Sequence, residues 1–211
     1  MAAMERALTL AAAWTLWCAL HSALIARPLT GALRRRLGVR FGYYRLLYNA
    51  FSVATLVPLA LLHGSWRGEV LLAYRGGWRP LALLLNLAAA ALFVLGARAY
   101  GTADFLGLRS AVAAWRGEEQ EAPPFSTRGV LRWVRHPWYL AGLLVLWGHD
   151  LDLAGLASAA VLSLYLLLGA HLEERKLVAE YGEAYRAYQR AVPMLLPRRP
   201  KGPERLARGG G

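Results

Sequence analysis

Four apolar runs decide what this chain can fold into: residues 7–26, 46–62, 81–97 and, broken once, 138–170. The first is close to 20 residues long without a charge, enough to cross a hydrocarbon core of about 30 Å at about 1.5 Å per residue. The second and third are about 17 residues, the short end of the spanning range, and flanking Tyr and Arg can lengthen them by snorkelling. The fourth is too long for one helix. His149-Asp150-Leu151-Asp152 cuts it into a short arm, 138–149, and a longer one, 153–170, which reads as a tight helical hairpin. Five spans result.

Charge placement tests that count. The chain has 25 Lys+Arg against 13 Asp+Glu, a formal net charge of +12, with 57% hydrophobic residues. Such a balance suits either a nucleic-acid binder or a membrane protein with basic loops. One Lys/Arg precedes the first run, six lie in 27–45, three in 63–79, six in 98–137, none at the hairpin tip and nine in 171–211. An N-out, C-in arrangement therefore puts 21 on the cytoplasmic side and 4 outside, as the positive-inside rule demands. Four or six spans would destroy that segregation. The basicity is a topology signal, and no nucleic-acid partner is expected. The first run is followed by Arg27-Pro28 rather than a small-residue cleavage site, so it reads as a retained span and not a signal peptide. The lone cysteine, Cys18, sits inside that span and reads as a small apolar filler.

The expected organisation is one all-α integral membrane domain over residues 1–197, with a basic, disordered tail at 198–211. Loop 98–137 carries turn signals at Gly107, Gly117, Pro123-Pro124 and Gly129, and a solvated mixed-charge stretch at 116–121. Residues 171–190 place Leu177, Tyr181, Tyr185 and Tyr188 down one stripe, the pattern of a cytoplasmic amphipathic helix. Gly182 weakens it by about 1 kcal/mol relative to Ala, which makes a bend there plausible, and Val192-Pro193 ends it.

Two polar clusters flank the hairpin, and polarity near a membrane needs a reason. The first is Arg135-His136-Pro137-Trp138-Tyr139-Leu140-Ala141-Gly142. Pro137 suits a first helical turn, His136 then sits at the N-cap end, and the open N–H groups there favour an anion such as a carboxylate. Gly142 allows close approach of a backbone or flat ring. An interfacial anchor of Arg, His, Trp and Tyr accounts for the same residues. The second cluster is His171-Leu-Glu173-Glu174-Arg175. The positive-inside rule explains its cations but not its carboxylates, and a solvated turn with Glu174 facing Arg175 is the alternative. Folding the hairpin brings both clusters to one membrane face. Together they offer a cation and helix N-terminus for a carboxylate, carboxylates for hydroxyl or ammonium groups, and aromatic faces for a cation or a base.

The pattern Arg135-His136-Pro137-x-Tyr139-x-x-Gly142, a hairpin, then Glu173-Glu174-x-x-Leu177-x-x-x-Tyr181-Gly182-x-x-Tyr185-x-x-Tyr188-x-x-x-Val192-Pro193 resembles the isoprenylcysteine carboxyl methyltransferase superfamily, whose core the phospholipid methyltransferases share. Tyr44-Arg-Leu-Leu-Tyr-Asn49, Asp104-Phe-Leu-Gly-Leu108 and Val-Pro-Met-Leu-Leu-Pro197 are similar to its bacterial methanethiol S-methyltransferase branch. The resemblance is strong over 128–197 and looser over 20–110. It implies an S-adenosyl-L-methionine-dependent membrane enzyme of the bacterial inner membrane, its active site facing the cytoplasm. The implied cofactor-binding residues are Arg135, His136, Tyr139, Leu140, Gly142, Glu173 and Glu174. A thiol acceptor must be a thiolate, so His171 and Arg175 are expected as the catalytic pair that lowers its pKa or accepts its proton. The acceptor would be a small thiol or a lipid-like molecule, prenylcysteine carboxylates and phospholipid amines being the other choices, and membrane lipids would be partners. The thiol-methylating branch is expected to carry Arg near position 171, where this chain has His171. A non-catalytic membrane protein on the same scaffold is the rival class, and intact Arg-His-Pro and Glu-Glu elements argue against it. A transporter finds no inverted repeat or paired broken helices in the sequence. His21, His63, His136, His149 and His171 never fall within four residues of one another, so no helical His pair is available and no metal is expected.

Overall fold

The computed structural model describes residues 1–118 and 125–198. The Pro123-Pro124 turn, the end of the mixed-charge stretch and, beyond Arg198, the expected tail lie outside the described residues. The helices are α1 (Ala2–Leu24), α2 (Arg27–Leu37), α3 (Tyr44–Ser65), α4 (Arg79–Tyr100), α5 (Thr102–Leu106), α6 (Leu108–Trp115), α7 (Pro137–Trp147), α8 (Leu153–Tyr181) and α9 (Glu183–Ala191). Two short antiparallel strands, β1 (Val70–Leu72) and β2 (Leu151–Asp152), pair with Val70 opposite Asp152 and Leu72 opposite Leu151. The fold is thus helical. Among the described residues, four helical segments are long and apolar enough to cross a membrane: Ala2–Leu24, Arg27–Ser65, Gly76–Tyr100 and Leu153–Tyr181. α7 is apolar but has 11 residues, about 16 Å of helix, too short to cross alone. Large apolar side chains such as Leu16, Leu61, Leu83, Leu84 and Leu164 point outward, as a lipid solvent permits.

The described chain divides into two compact units, Met1–Leu72, Tyr100–Pro123 and Leu151–Leu162 forming one, and Ala73–Ala99, Pro124–Asp150 and Ser163–Gly211 the other. In the first, α1 packs on α3 and on the start of α8 around buried Ala7, Leu10, Trp14 and Ala154. Polar side chains fasten these helices. Trp17 Nε1 donates to Thr55 Oγ1 at 3.0 Å, the Tyr44 hydroxyl donates to the Leu24 carbonyl at 2.5 Å, and His21 bridges Tyr48 and Ser52, its Nδ1 lying 3.1 Å from the Ser52 hydroxyl. The two outlying motifs prove to be one contact. Arg45 Nε donates to the Phe105 carbonyl at 3.0 Å, and Asn49 Nδ2 donates to the carbonyls of Phe105 and Leu106, both at 3.1 Å. Gly107, at φ +83°, lies where a Cβ would come within 2.9 Å of Arg45 Cβ, so only glycine fits there.

In the second unit, helices meet through small residues, as lipid-solvated helices do when no hydrophobic force drives them together. A Cβ on Gly142 would meet Leu166 at 3.0 Å, and one on Gly169 would meet the Tyr139 ring at 3.1 Å. Gly96 is covered by the Trp138 indole, whose Nε1 donates to the Phe93 carbonyl at 3.0 Å. The buried core of this unit is Val130, Leu131, Val134, Leu140, Tyr185, Tyr188 and Val192. One amphipathic helix over 171–190 is expected; the structure divides that segment. α8 continues to Tyr181, Gly182 at φ +57°, ψ −128° breaks it, and α9 starts at Glu183. That backbone conformation is open only to glycine.

Candidate functional site

The break at Gly182 is what builds the site. Glu174 and Tyr185 are 11 residues apart, a separation of about 16 Å along an unbroken helix. Because α9 folds back, the Tyr185 hydroxyl instead donates to Glu174 Oε1 at 2.8 Å. Gln189, one turn further along the same face of α9, donates its amide to Glu174 Oε2. The backbone beyond α9 then pairs with the entry to α7: the N–H of Arg135 donates to the Pro193 carbonyl at 3.0 Å, and that of His136 to the Met194 carbonyl at 3.1 Å. Tyr188 ties the underside, its hydroxyl donating to the Leu131 carbonyl at 2.6 Å.

Glu174 is the hub. Arg135 grips it as a fork, Nε to Oε1 and Nη2 to Oε2, each at 2.8 Å. His136 Nε2 lies 2.7 Å from Oε1. With Tyr185 and Gln189 the carboxylate receives five donors, which fills the roughly four lone-pair sites of an ionised carboxylate and leaves no place for its own proton. Arg135 is itself anchored, Nη1 donating to the carbonyls of Gln189, at 3.0 Å, and Val192. The side chains of Arg135 and Glu174 are about nine-tenths buried. Burial first, then the hydrogen bond to Glu174 and its charge, push the Tyr185 phenol well above its ordinary range, so Tyr185 stays a donor. Burial likewise raises Tyr188.

The nine residues singled out in the sequence separate into three groups. Arg135, Glu174, His171 and Arg175 line a cleft of about 410 Å³ together with Val178, Gln189 and Met194. His136 is buried behind Glu174, its ring edge-on to Tyr139 at 5.3 Å. Its Nδ1 lies 3.8 Å from Glu173, beyond hydrogen-bonding distance, and Glu173 is the more open carboxylate, with 44% of its side chain exposed. Leu140 belongs to the core beneath Tyr185, and Gly142 and Tyr139 serve the α7–α8 contact. The partner of Glu174 is Arg135, not Arg175. Arg175 and His171 are exposed at the cleft, and His171 Nδ1 donates to the Leu167 carbonyl at 2.8 Å. A carbonyl can only accept, so a neutral His171 carries its basic lone pair on Nε2.

Sequence reasoning missed Val178, Gln189 and Met194 as cleft residues, and it took Tyr185 as part of an apolar stripe. The i, i+4 placement of Tyr185 and Gln189 was the available signal: two side chains that can donate to an anion on one face of a helix that begins after a glycine.

No family model matches the chain, and no solved structure matches it. Several curated bacterial relatives do, among them the following three. A methanethiol S-methyltransferase of a Pseudomonas species is 32% identical over 195 residues, 88% of this chain and 71% of the relative. The Mycobacterium tuberculosis enzyme of the same name is 33% identical over 157 residues, 71% of this chain and 63% of the relative. Methanethiol S-methyltransferase 2 of Bradyrhizobium diazoefficiens is 43% identical over 96 residues, 45% and 37% of the two chains. The first of these relatives is matched over 88% of this chain and 71% of its own length, and on that extent the chain belongs to the methanethiol S-methyltransferase family.

Proposed function

We propose that this protein methylates a small thiol, methanethiol or one like it, with S-adenosylmethionine as the methyl donor. The observation that supports this most is the pairing within the cleft: Glu174 is neutralised by Arg135, while Arg175 and the Nε2 of His171 remain at the opening. The cleft volume falls within the range of about 300–1,000 Å³ typical of small-molecule sites. Val178 and Met194 provide an apolar wall for a flat base and Gln189 an amide. These residues fit the donor, while His136 and Tyr139 support the wall from behind and Glu173 offers the more open carboxylate. Glu174 fixes Arg135 and Gln189 at the cleft wall and is itself held from behind by His136.

Bound S-adenosylmethionine would supply an electrophilic methyl on a sulfonium sulfur, which becomes neutral when the methyl leaves. A thiol attacks well only as thiolate. His171 takes the thiol proton on Nε2, and the Arg175 guanidinium favours the resulting anion. The thiolate lone pair forms the new C–S bond as the old one breaks, giving a thioether and S-adenosylhomocysteine. No acid is required for the leaving sulfur. The protein's remaining work is alignment and exclusion of water.

The same reading places residues 1–197 as one domain in the bacterial inner membrane, with five spans, N-out and C-in, and the cleft at the cytoplasmic face. The 21-to-4 division of Lys and Arg supports it. In the test, purified protein is given methanethiol and S-adenosylmethionine, headspace dimethyl sulfide is measured, and donor binding is followed by calorimetry. Dimethyl sulfide in step with S-adenosylhomocysteine is expected. Binding without product would move the acceptor to a prenylcysteine carboxylate or a phospholipid amine. Absence of donor binding would end the methyltransferase reading.

A further inference from the structure

α2 is the helix that neither the packing of its unit nor the cleft explains. It has no buried residue. Leu29, Leu33 and Leu37 follow one another at i, i+4 and i+8, within an arc of about 80°. Leu29 and Leu37 are exposed. Arg27, Arg34 and Arg35 occupy an arc of about 100° centred roughly 150° away, and Arg36 borders the leucine stripe. This is the pattern of a helix lying in a membrane interface, leucines inward and arginines at headgroup level.

Charge says which interface. Between Glu5 and Glu69 the sequence has eight arginines and no acidic residue. Among the described residues no ion pair involves Arg34, Arg35, Arg36 or Arg40. Arg34 lies over the Phe41 ring at 5.1 Å, which holds its guanidinium in place and leaves the planar fork suited to a phosphate. A cation in the last turn complements the helix dipole, but one would do; here there are three in that turn and Arg40 beyond it. The location also fits. The Tyr44 hydroxyl clamps the start of α3 to the end of α1, so α2 lies beyond the ends of two membrane-length helices.

We propose that α2 is an interfacial lipid-binding helix, with Arg34, Arg35, Arg36 and Arg40 receiving the phosphates of anionic phospholipid in the leaflet where α1 ends and α3 begins. The inference needs the membrane setting of α1 and α3 but not the methyl-transfer reading. Each arginine near an anionic surface strengthens association about five-fold, so three contribute roughly a hundredfold.

The full-length protein is placed in nanodiscs of phosphatidylcholine with and without phosphatidylglycerol. Phosphatidylglycerol retained through detergent extraction is counted by native mass spectrometry, and the thermal midpoint is followed in parallel. Wild type should retain phosphatidylglycerol over phosphatidylcholine and melt higher in its presence, and molar salt should erase both effects. Arg34→Gln/Arg35→Gln/Arg36→Gln should lose the preference, whereas the triple Lys variant should keep most of it. Arg186→Gln, on α9, should behave as wild type. Equal retention of the two lipids by wild type overturns the proposal, and so does a glutamine triple that still selects phosphatidylglycerol. A midpoint that follows protein concentration rather than lipid composition would assign the face to a second copy and overturn it as well. The wild-type lipid and salt comparisons decide even if the triple variant does not fold.

Discussion

Histidine, tyrosine, serine and threonine side chains on α1 and α3 pair with one another or with backbone, as His21 does with Tyr48 and Ser52, and Trp17 with Thr55. On α8 and α9 the polar groups converge instead on a single carboxylate, Glu174, and leave His171 and Arg175 at a cleft. The first arrangement joins helices by neutral exchange, and each bond is worth on average about 0.6 kcal/mol in a membrane protein. The second confines a charge, and removing one partner of a buried pair costs about 3–5 kcal/mol because the other is left uncompensated. Polarity that fastens and polarity that organises a site therefore differ in number of donors per acceptor and in charge, not in residue type.

The comparison breaks most readily at Glu174. Glu174→Ala should lower stability by about 3–5 kcal/mol, read as a large fall in thermal midpoint in detergent, with loss of activity. If Glu174→Ala melts like wild type, the hub does not hold α8 to α9 and the contrast with α1 and α3 fails. A smaller effect of a different kind is expected at His171. Removing a general base costs about 100-fold or more in rate, so His171→Phe should lose that much kcat with the melting temperature unchanged. Equal losses in both quantities would show that His171 is structural. Next in size is Tyr185→Phe, which deletes one hydrogen bond to an ionised acceptor, worth about 1.5–3 kcal/mol. Its midpoint should fall less than that of Glu174→Ala, and S-adenosylhomocysteine affinity, measured by calorimetry, should weaken with it.

How much of this was readable from the chain follows from the physics of each part. The apolar runs were visible because a segment able to cross lipid has to be helical and oily, and α1, α3, α4 and α8 cover the runs closely. The break at Gly182 was half visible: a weak helix former marks a possible bend, but only φ +57° with ψ −128° shows why α9 turns back. The cost of that misreading was Gln189 and the role of Tyr185, since on one continuous helix neither could reach Glu174. Glu173 and Glu174 were legible as a pair and not as individuals. Which carboxylate is buried depends on the rotation of α8 against α7, set by Gly142 on Leu166 and Gly169 on Tyr139. No local pattern encodes that rotation. Arg45 and Asn49 were legible as motif letters, while their contact with Phe105 and Leu106 spans more than 50 residues.

The smallest expected effect is also the one that most sharpens the contrast. Ser52→Ala removes one partner of His21 and nothing ionised. His21 keeps Tyr48 on Nε2 and its stacking on Trp17, whose ring centroid is 4.8 Å away. The loss should be about 0.6 kcal/mol, a slight shift in midpoint, with methyl transfer and S-adenosylhomocysteine binding untouched. Thr55→Val, which deprives the Trp17 indole of its acceptor at 3.0 Å, should behave alike. Because Trp17 stacks on His21 and the Thr55 hydroxyl also reaches the Ser52 carbonyl at 3.2 Å, the pair should couple, but only weakly, since every group in it is neutral. Tyr185→Phe and Gln189→Leu should couple more strongly. Both act on Glu174, so whichever comes second changes a network already weakened, and their combined effect should depart from the sum by about 0.5 kcal/mol or more. Weaker coupling on α1 and α3 than at Glu174 is what separates fastening from organising. If the Ser52 and Thr55 variants were the more strongly coupled pair, the polar residues of α3 would form a network in their own right, and His21 would have to be considered as a functional group.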